Sequence, residues 1–360
     1  MSTRCPKTLL SPKQNPNETG TPIRKVLISA YGDESNVSVI DAILPQPSKN
    51  EVQVKVLYSG FSGSDINMRK GQYPLQRSAP LTPGYCLVGH VSALLESSSS
   101  NSKFKIGDAV TCLSIYDAEA TYVNLPEKYL IPVPGNVPLK AATALILDWN
   151  TAYGMVHRAA NIQTGQKVFI HGLSGAVGWA VGVLCSLHGA QIFGTASSKN
   201  HAAITTGLPA ATPFTYENKD WIQAMKNAGG ADAVFDPLGF ESWDESYDIL
   251  SPTGILIGYG GNMNNFSDGQ TRSQVPSMTK LFARNYLKFW EGRRAVFYYI
   301  SRDDKYFVED LEALFGLCGS GRVGVTIKQV FGMRDTEEIR KAHRCWGKGS
   351  GVGSLLLRVS

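Results

Sequence analysis

The segment Val168–Gly178, Val-Phe-Ile-His-Gly-Leu-Ser-Gly-Ala-Val-Gly, is an apolar run that ends in Gly172, Gly175 and Gly178. That order predicts a strand, a tight turn and a helix start. A backbone without side chains admits a pyrophosphate closely, and the first helical turn offers unpaired N–H donors to the anion. Gly172, Ser174, Gly175, Ala176, Val177 and Gly178 are therefore candidate dinucleotide ligands. The next strand, predicted over Gly189–Thr195, runs into Ala196-Ser197-Ser198-Lys199. An NAD-binding chain places an acid there, on the ribose 2′-hydroxyl. Two hydroxyls and an ammonium stand there instead and suit a 2′-phosphate. Ser197, Ser198 and Lys199 are the leading candidate ligands for NADP(H).

These residues need a parallel sheet to position them. From Pro138 onward, helical spacing at Leu139–Leu147 and Trp149–Ala160 gives way to alternating strands and helices. Val168–Ile170, Gln191–Gly194, Ala233–Asp236 and Ile255–Tyr259 are the apolar strands. Helices are expected at Gly175–His188, near His201–Gly207, and over Trp221–Ala228 and Glu241–Leu250. Such alternation implies βαβ units. Before it, Ile23 to about Val133 reads as short strands broken by Pro and Gly, with Ser97–Ser102 a serine-rich hairpin tip. After it come a polar loop at Gly261–Pro276, an aromatic-rich stretch Leu281–Ile300, a helix at Lys305–Leu317, and terminal strands Val325–Val330 and Leu355–Val359 around a helix at Thr336–Cys345.

The bulk numbers exclude several classes. With 360 residues, 43% hydrophobic and 18% charged, the chain can build one large or two ordinary domains. The net charge of +5 is scattered, without a basic stripe interleaved with aromatics, so nucleic acid is not expected as a partner. No run of about 20 apolar residues predicts a membrane span. Six widely separated cysteines, none in Cys-x-x-Cys, argue for thiols in a reducing compartment and a cytoplasmic protein. Residues 1–22 are polar and read as a flexible extension.

Several further segments, taken in order, resemble the zinc-free quinone oxidoreductase and enoyl reductase-like group of the medium-chain dehydrogenase/reductase superfamily. Asp65 through Pro74 is similar to its Asp-x-x-x-Arg-x-Gly-x-Tyr-Pro, and Pro83-Gly84-Tyr85 with Gly89 to its Pro-Gly-x-Asp/Glu-x-x-Gly. Gly107-Asp108-Ala109-Val110 and His171–Gly178 match the group's Gly-Asp-x-Val and glycine turn. Phe235–Gly239 and Leu250–Gly260 resemble two loops over the nicotinamide, and Gly349–Leu357 the closing strand. The resemblance implies an α/β protein of two parts. One is a GroES-like, partly open β-barrel catalytic domain over 23–146 and 291–360. The other is a Rossmann doubly wound cofactor domain over 147–290, with the active site in the cleft. It further implies NADPH as cofactor, Thr151, Leu238, Gly258 and Tyr259 toward the nicotinamide, Tyr216 on the 2′-phosphate, and a homodimer paired by sheet edges near Ile255–Gly260.

Departures from the group matter as much. Leu173 stands where Ala is usual, and a bulky side chain there is expected to shift the turn. Cys86 replaces the acid of the Pro-Gly turn, and the His-Glu pair of zinc-dependent relatives is missing, so no catalytic metal is expected. Without a metal or a Tyr-x-x-x-Lys pair to polarise a simple ketone, an enone, enoyl or quinone acceptor is favoured, since its charge delocalises onto oxygen. Asn67 is a candidate donor to that oxygen or a capping Asn. Tyr73 and Tyr259 are candidate cleft or proton-supplying residues or packed aromatics. Tyr286, Phe289, Trp290, Phe297, Tyr298 and Tyr299 are core or interface aromatics, a subset of which could wall a flat substrate. An NADPH-binding protein with a structural or regulatory role and little turnover is the alternative.

Overall fold

The computed structural model describes residues 20–95, 102–266, 272–287, 290 and 292–360. The expected serine-rich tip apart from Ser102, residue Phe289, the Tyr286 side chain and residues 1–19 of the expected extension lie outside the described residues. The first strand, Gly20–Ile28, begins inside that expected extension, because Gly20 to Pro22 pair antiparallel with Ile43 to Pro45.

The N-terminal third and the C-terminal tail build one lobe together. Its seven-stranded sheet runs in the order Ile327–Gly332, Ser354–Arg358, Glu51–Gly60, Leu87–Leu94, Ala109–Cys112, Ile131–Pro132, with Tyr122–Pro126 also on Glu51–Gly60. Val52, Val54 and Val56 alternate with polar neighbours and point into a buried core with Val26, Leu87, Val110 and Leu357. The strand pair Leu356↔Gly60 sews the chain's end to its beginning. Isolated bridges at Lys25↔Ala120 and Ile28↔Leu81 tie the first hairpin to the loops beside this sheet.

The middle of the chain forms a second, wholly parallel sheet in the order Ala211–Phe214, Gln191–Thr195, Lys167–Ile170, Ala231–Asp236, Leu250–Gly258, Arg294–Phe297. Successive residues bury on opposite faces. Val168, Ile170, Phe235 and Ile257 enter one core, while Phe169, Val234 and Leu256 enter another under Trp221, Trp243 and Tyr247. A sheet buried on both sides accounts for the near-continuous apolar strands read in the sequence. The order is that of the doubly wound dinucleotide fold, whose crevice lies at the carboxyl ends of the strands.

Two expectations are corrected here. Arg294–Phe297 pairs in parallel with Ile255–Gly258, so the sheet runs past the expected domain junction at 290/291. The same pairing places Leu250–Gly258 inside the sheet, and Ile255–Gly260 is not the free edge expected for a dimer.

Candidate functional site

The glycine turn lies between the strand Lys167–Ile170 and the helix Ala176–Leu187. Gly172 takes φ +69, a left-handed conformation that a side chain disfavours. A Cβ on Gly178 would stand 2.3 Å from the Gly172 carbonyl oxygen, so helix and turn can meet only without it. Gly175 caps the helix with no side-chain bond and is exposed. The backbone N–H groups of Ala176 and Val177 thus open toward solvent at a helix N-terminus, which fits a pyrophosphate. Leu173, the residue expected to shift the turn, is tied to the neighbouring strand. Its N–H bonds the Thr195 carbonyl at 2.9 Å, and its fully buried side chain points inward. There it occupies space that Cβ atoms on Gly182 and Gly194 would contest, at 3.1 and 3.2 Å.

At the 2′-phosphate end, Ser197 is half-buried and Ser198 and Lys199 are exposed on a short turn. The stretch Thr195 to Asn200 holds no carboxylate. Tyr216, 40% exposed, follows the strand Ala211–Phe214, whose Phe214 carbonyl accepts the Ala196 N–H. Sequence reasoning missed two neighbours. Buried Asn200 donates to Ser174 Oγ at 3.0 Å and accepts the Gly351 N–H at 2.9 Å, joining the turn to the other lobe. Lys328, from the strand Ile327–Gly332, packs against Gly351; its ammonium is held below the usual lysine range by burial and then by the charge of Lys199.

The nicotinamide end is organised by Asp236, fully buried at the tip of its strand. Its carboxylate accepts the Leu238 N–H at 2.7 Å and the hydroxyls of Ser242 and Ser246 at 2.6 and 2.7 Å. These bonds hold Leu238, half-buried, at the crevice. Tyr259 donates its N–H to the Asp236 carbonyl, and burial raises its phenol above the usual tyrosine range, reinforced by Asp236 and Asp148. Gly258 is buried under Trp243, and its carbonyl accepts the Tyr298 N–H at 2.8 Å. Thr151 lies buried in the helical segment Leu139–Ala159, whose turns widen at Leu145–Trp149 and Gly154–Ala159. Asp148 in the first wide turn accepts the Ser354 hydroxyl at 2.6 Å, fixing this helix to the closing strand.

The acceptor side differs most from the sequence picture. Asn67 accepts a bond from Asn265 Nδ2 at 2.8 Å. Lys70 Nζ likewise donates to the Asn264 carbonyl, so the loop after the fifth parallel strand crosses the cleft onto the helix Gly63–Arg69. Asp65 is buried in that helix's cap, accepting the Ser62 and Gly84 N–H groups, a loop-organising role. Tyr73 is half-buried, and its hydroxyl donates to Tyr85 at 2.7 Å; both oxygens lie within 3.1 Å of Tyr299. Phe297 instead packs edge-on against Trp243, and Tyr298 packs its hydroxyl against Gly154. Cys86 is fully buried with its thiol pushed far up by burial, against the Thr143 carbonyl, while His90 bonds the Gly107 carbonyl. Among the described residues no group of three or more His, Cys, Asp or Glu side chains is arranged to hold a metal ion. Nor is any helix among them long and apolar enough to cross a membrane.

Comparison with known proteins agrees with this architecture. Residues 48–135 match the alcohol dehydrogenase GroES-like domain, and residues 208–357 match the zinc-binding dehydrogenase family. The chain is 27% identical over 360 residues to a human synaptic vesicle membrane protein VAT-1 homolog-like, covering 94% of this chain and 81% of that one. It is 28% identical over 338 residues to a probable quinone oxidoreductase of Schizosaccharomyces pombe, covering 92% and 96%. The crystal structure of the human VAT-1 homolog-like protein superimposes with TM-score 0.77 at 25% identity, covering 94% of this chain and 98% of that one. The Escherichia coli quinone oxidoreductase, solved with NADPH, superimposes with TM-score 0.77 at 21% identity, covering 93% and 99%.

Proposed function

From the chain's membership of the medium-chain dehydrogenase/reductase superfamily, in its quinone oxidoreductase and enoyl reductase-like group, we propose an NADPH-dependent, metal-independent reductase of an activated C=C bond or a quinone. The observation that carries the cofactor choice is the end of the second parallel strand. Ser197, Ser198 and Lys199 stand there with no carboxylate from Thr195 to Asn200. Gly172, Ser174, Gly175, Ala176, Val177 and Gly178 would hold the pyrophosphate, with Tyr216 joining the phosphate end and Thr151, Leu238 and Tyr259 the nicotinamide end. When bound, the reduced nicotinamide supplies the hydride. The chain's own part is to orient the acceptor, exclude water and stabilise the oxygen that becomes negative. Asn265 fixes Asn67 across the cleft, so its amide is a pre-positioned polar group there.

The test is titration with NADPH and NADH, followed by nicotinamide absorbance with cyclohexenone, p-benzoquinone and an enoyl thioester. NADPH should bind more tightly, and at least one probe should consume it. Losing one charge-assisted contact in Lys199→Ala should weaken NADPH by roughly 1.5–3 kcal/mol and leave NADH nearly unchanged. Equal losses would refute the phosphate assignment. Tight NADPH binding without turnover of any probe would assign a structural or regulatory role instead.

A further inference from the structure

Three phenol oxygens from distant parts of the chain meet at the cleft. Tyr73 and Tyr85 are 2.7 Å apart, Tyr85 and Tyr299 3.0 Å, Tyr73 and Tyr299 3.1 Å. Tyr73 and Tyr85 belong to the barrel lobe, their rings edge-to-face at 5.6 Å. Tyr299 lies two residues beyond the sixth parallel strand, at the carboxyl side of the sheet, where open α/β sheets receive ligands. Its backbone is fixed by the neighbouring Tyr298 N–H bond to Gly258, one residue before Tyr259.

A proton count gives the cluster a direction. Each phenol carries one hydrogen. Tyr73 spends its hydrogen on Tyr85. Tyr85 is 2% exposed, and Tyr299 offers its hydrogen an acceptor at 3.0 Å. The Tyr299 hydrogen can close the ring onto Tyr73 only across the longest of the three separations. Tyr299 is also 54% exposed, so its hydroxyl is the one free to turn outward. Burial raises the phenols of Tyr73 and Tyr85 well above the usual tyrosine range, so both stay protonated and act as donors.

We propose that Tyr299 donates the hydrogen bond, and then the proton, to the acceptor's carbonyl oxygen, and that Tyr85 and Tyr73 are the positioning chain that resupplies it. This rests on the reductase reading above. Hydride from the reduced nicotinamide forms a C–H bond at the β-carbon. The C=C pair shifts toward the carbonyl carbon, and the carbonyl π pair moves onto oxygen. The Tyr299 O–H bond breaks as the substrate O–H bond forms. In one concerted shift along the hydrogen bonds, Tyr299 takes the Tyr85 proton as Tyr85 takes that of Tyr73 and Tyr73 takes one from water, so neither buried phenol ionises on the way. The enol product tautomerises to the saturated carbonyl compound. Tyr73, the candidate suggested by sequence, becomes the far end of the chain, because its hydrogen is already committed.

The experiment compares Tyr299→Phe, Tyr85→Phe and Tyr73→Phe, which keep the rings, using NADPH with cyclohexenone and p-benzoquinone. Tyr299→Phe should lower kcat/KM by about 100-fold, in line with loss of one oxyanion donor, with NADPH affinity unchanged. Tyr85→Phe should lower kcat by about tenfold and diminish the solvent deuterium isotope effect, which a purely structural role would not move. Tyr73→Phe should have the smallest effect. Collapse in Tyr73→Phe with wild-type rates in Tyr299→Phe would overturn the proposal, as would wild-type rates in all three. A second arm needs no turnover: p-nitrophenolate titrated into the NADP⁺ complex, as a stable oxyanion, should lose about tenfold in affinity in Tyr299→Phe. If the wild type reduces neither of these probes nor the enoyl thioester, the reductase reading fails, and this arm alone judges the donor. Binding that ignores Tyr299 would overturn it.

Discussion

Asn200 accepts the Gly351 N–H at 2.9 Å, a bond between the cofactor sheet and the closing segment of the barrel lobe. The same side chain donates to Ser174 Oγ in the glycine turn, and the Gly353 N–H reaches the Ser174 carbonyl at 3.2 Å. The two lobes are therefore joined at the phosphate end by polar bonds, one to a buried amide and one between backbones.

Asn200→Ala should cost roughly 1–3 kcal/mol of stability, because it leaves the buried partners of the amide unsatisfied. Asn200→Asp keeps an acceptor for Gly351 but loses the donor to Ser174 and sets a carboxylate beside Lys199. It should weaken NADPH more than NADH. Thermal unfolding and cofactor titration of the two variants check this; parallel losses for both cofactors would show that Asn200 acts on the fold alone.

Lys328 and Lys199 come from different lobes, and the charge of Lys199 adds to burial in lowering the Lys328 ammonium, a repulsion that an incoming phosphate would relieve. Lys328→Ala should therefore leave NADH binding unchanged and weaken NADPH several-fold. The loss should shrink at high salt, as expected for a partly exposed charge. Isothermal titration with adenosine 2′,5′-bisphosphate against 5′-AMP isolates this contribution from the nicotinamide end.

Much of the cofactor half was legible in the chain because its determinants are local. Gly172 to Gly178 and Ser197 to Lys199, the residues proposed to hold the cofactor, lie within single turns that follow apolar strands. The acceptor half was not. Tyr85 and Tyr299 meet across 214 residues, and Asn67 meets Asn265 across 198. No local pattern marks such pairs, since each residue also makes sense as a packed aromatic or a loop amide. The sheet's last strand is hidden in the sequence for a related reason. Arg294–Phe297 is four residues long and carries Arg at its start, so aromatic density masked its strand character.

Leu173 tests whether the turn depends on what fills the space beneath it. Its side chain is fully buried between the helix at Gly182 and the strand at Gly194. Leu173→Ala should cost roughly 2–5 kcal/mol through the cavity it leaves. The turn's shape rests on the φ of Gly172 and the contact at Gly178, so NADPH affinity should change little in the fraction that stays folded. Denaturant unfolding and titration below the transition separate these two effects. A large loss of affinity at unchanged stability would mean that the side chain shapes the turn directly.

Three buried acids, Asp65, Glu119 and Asp148, give the protein an unusual response to pH. Burial raises Asp148 from 3.8 to about 6, against the lowering effect of the Ser354 bond. Burial likewise raises Asp65 to about 6 and carries Glu119 well above its ordinary range. Between about pH 4 and 6 the folded protein thus holds protons that the unfolded chain has released, and these groups make stability fall as pH rises. Half-buried His157 and buried His171 and His343, all held below the usual histidine range, work in the opposite sense and lose stability on acidification. The difference between wild type and Asp148→Asn isolates the first effect, since the amide oxygen can still accept the Ser354 hydroxyl. The two should be similar near pH 4, and the variant should gain on the order of 2–3 kcal/mol by pH 7. Urea unfolding at successive pH values measures it. A gap that stays constant with pH would mean that Asp148 titrates in the folded protein as it does in the unfolded chain.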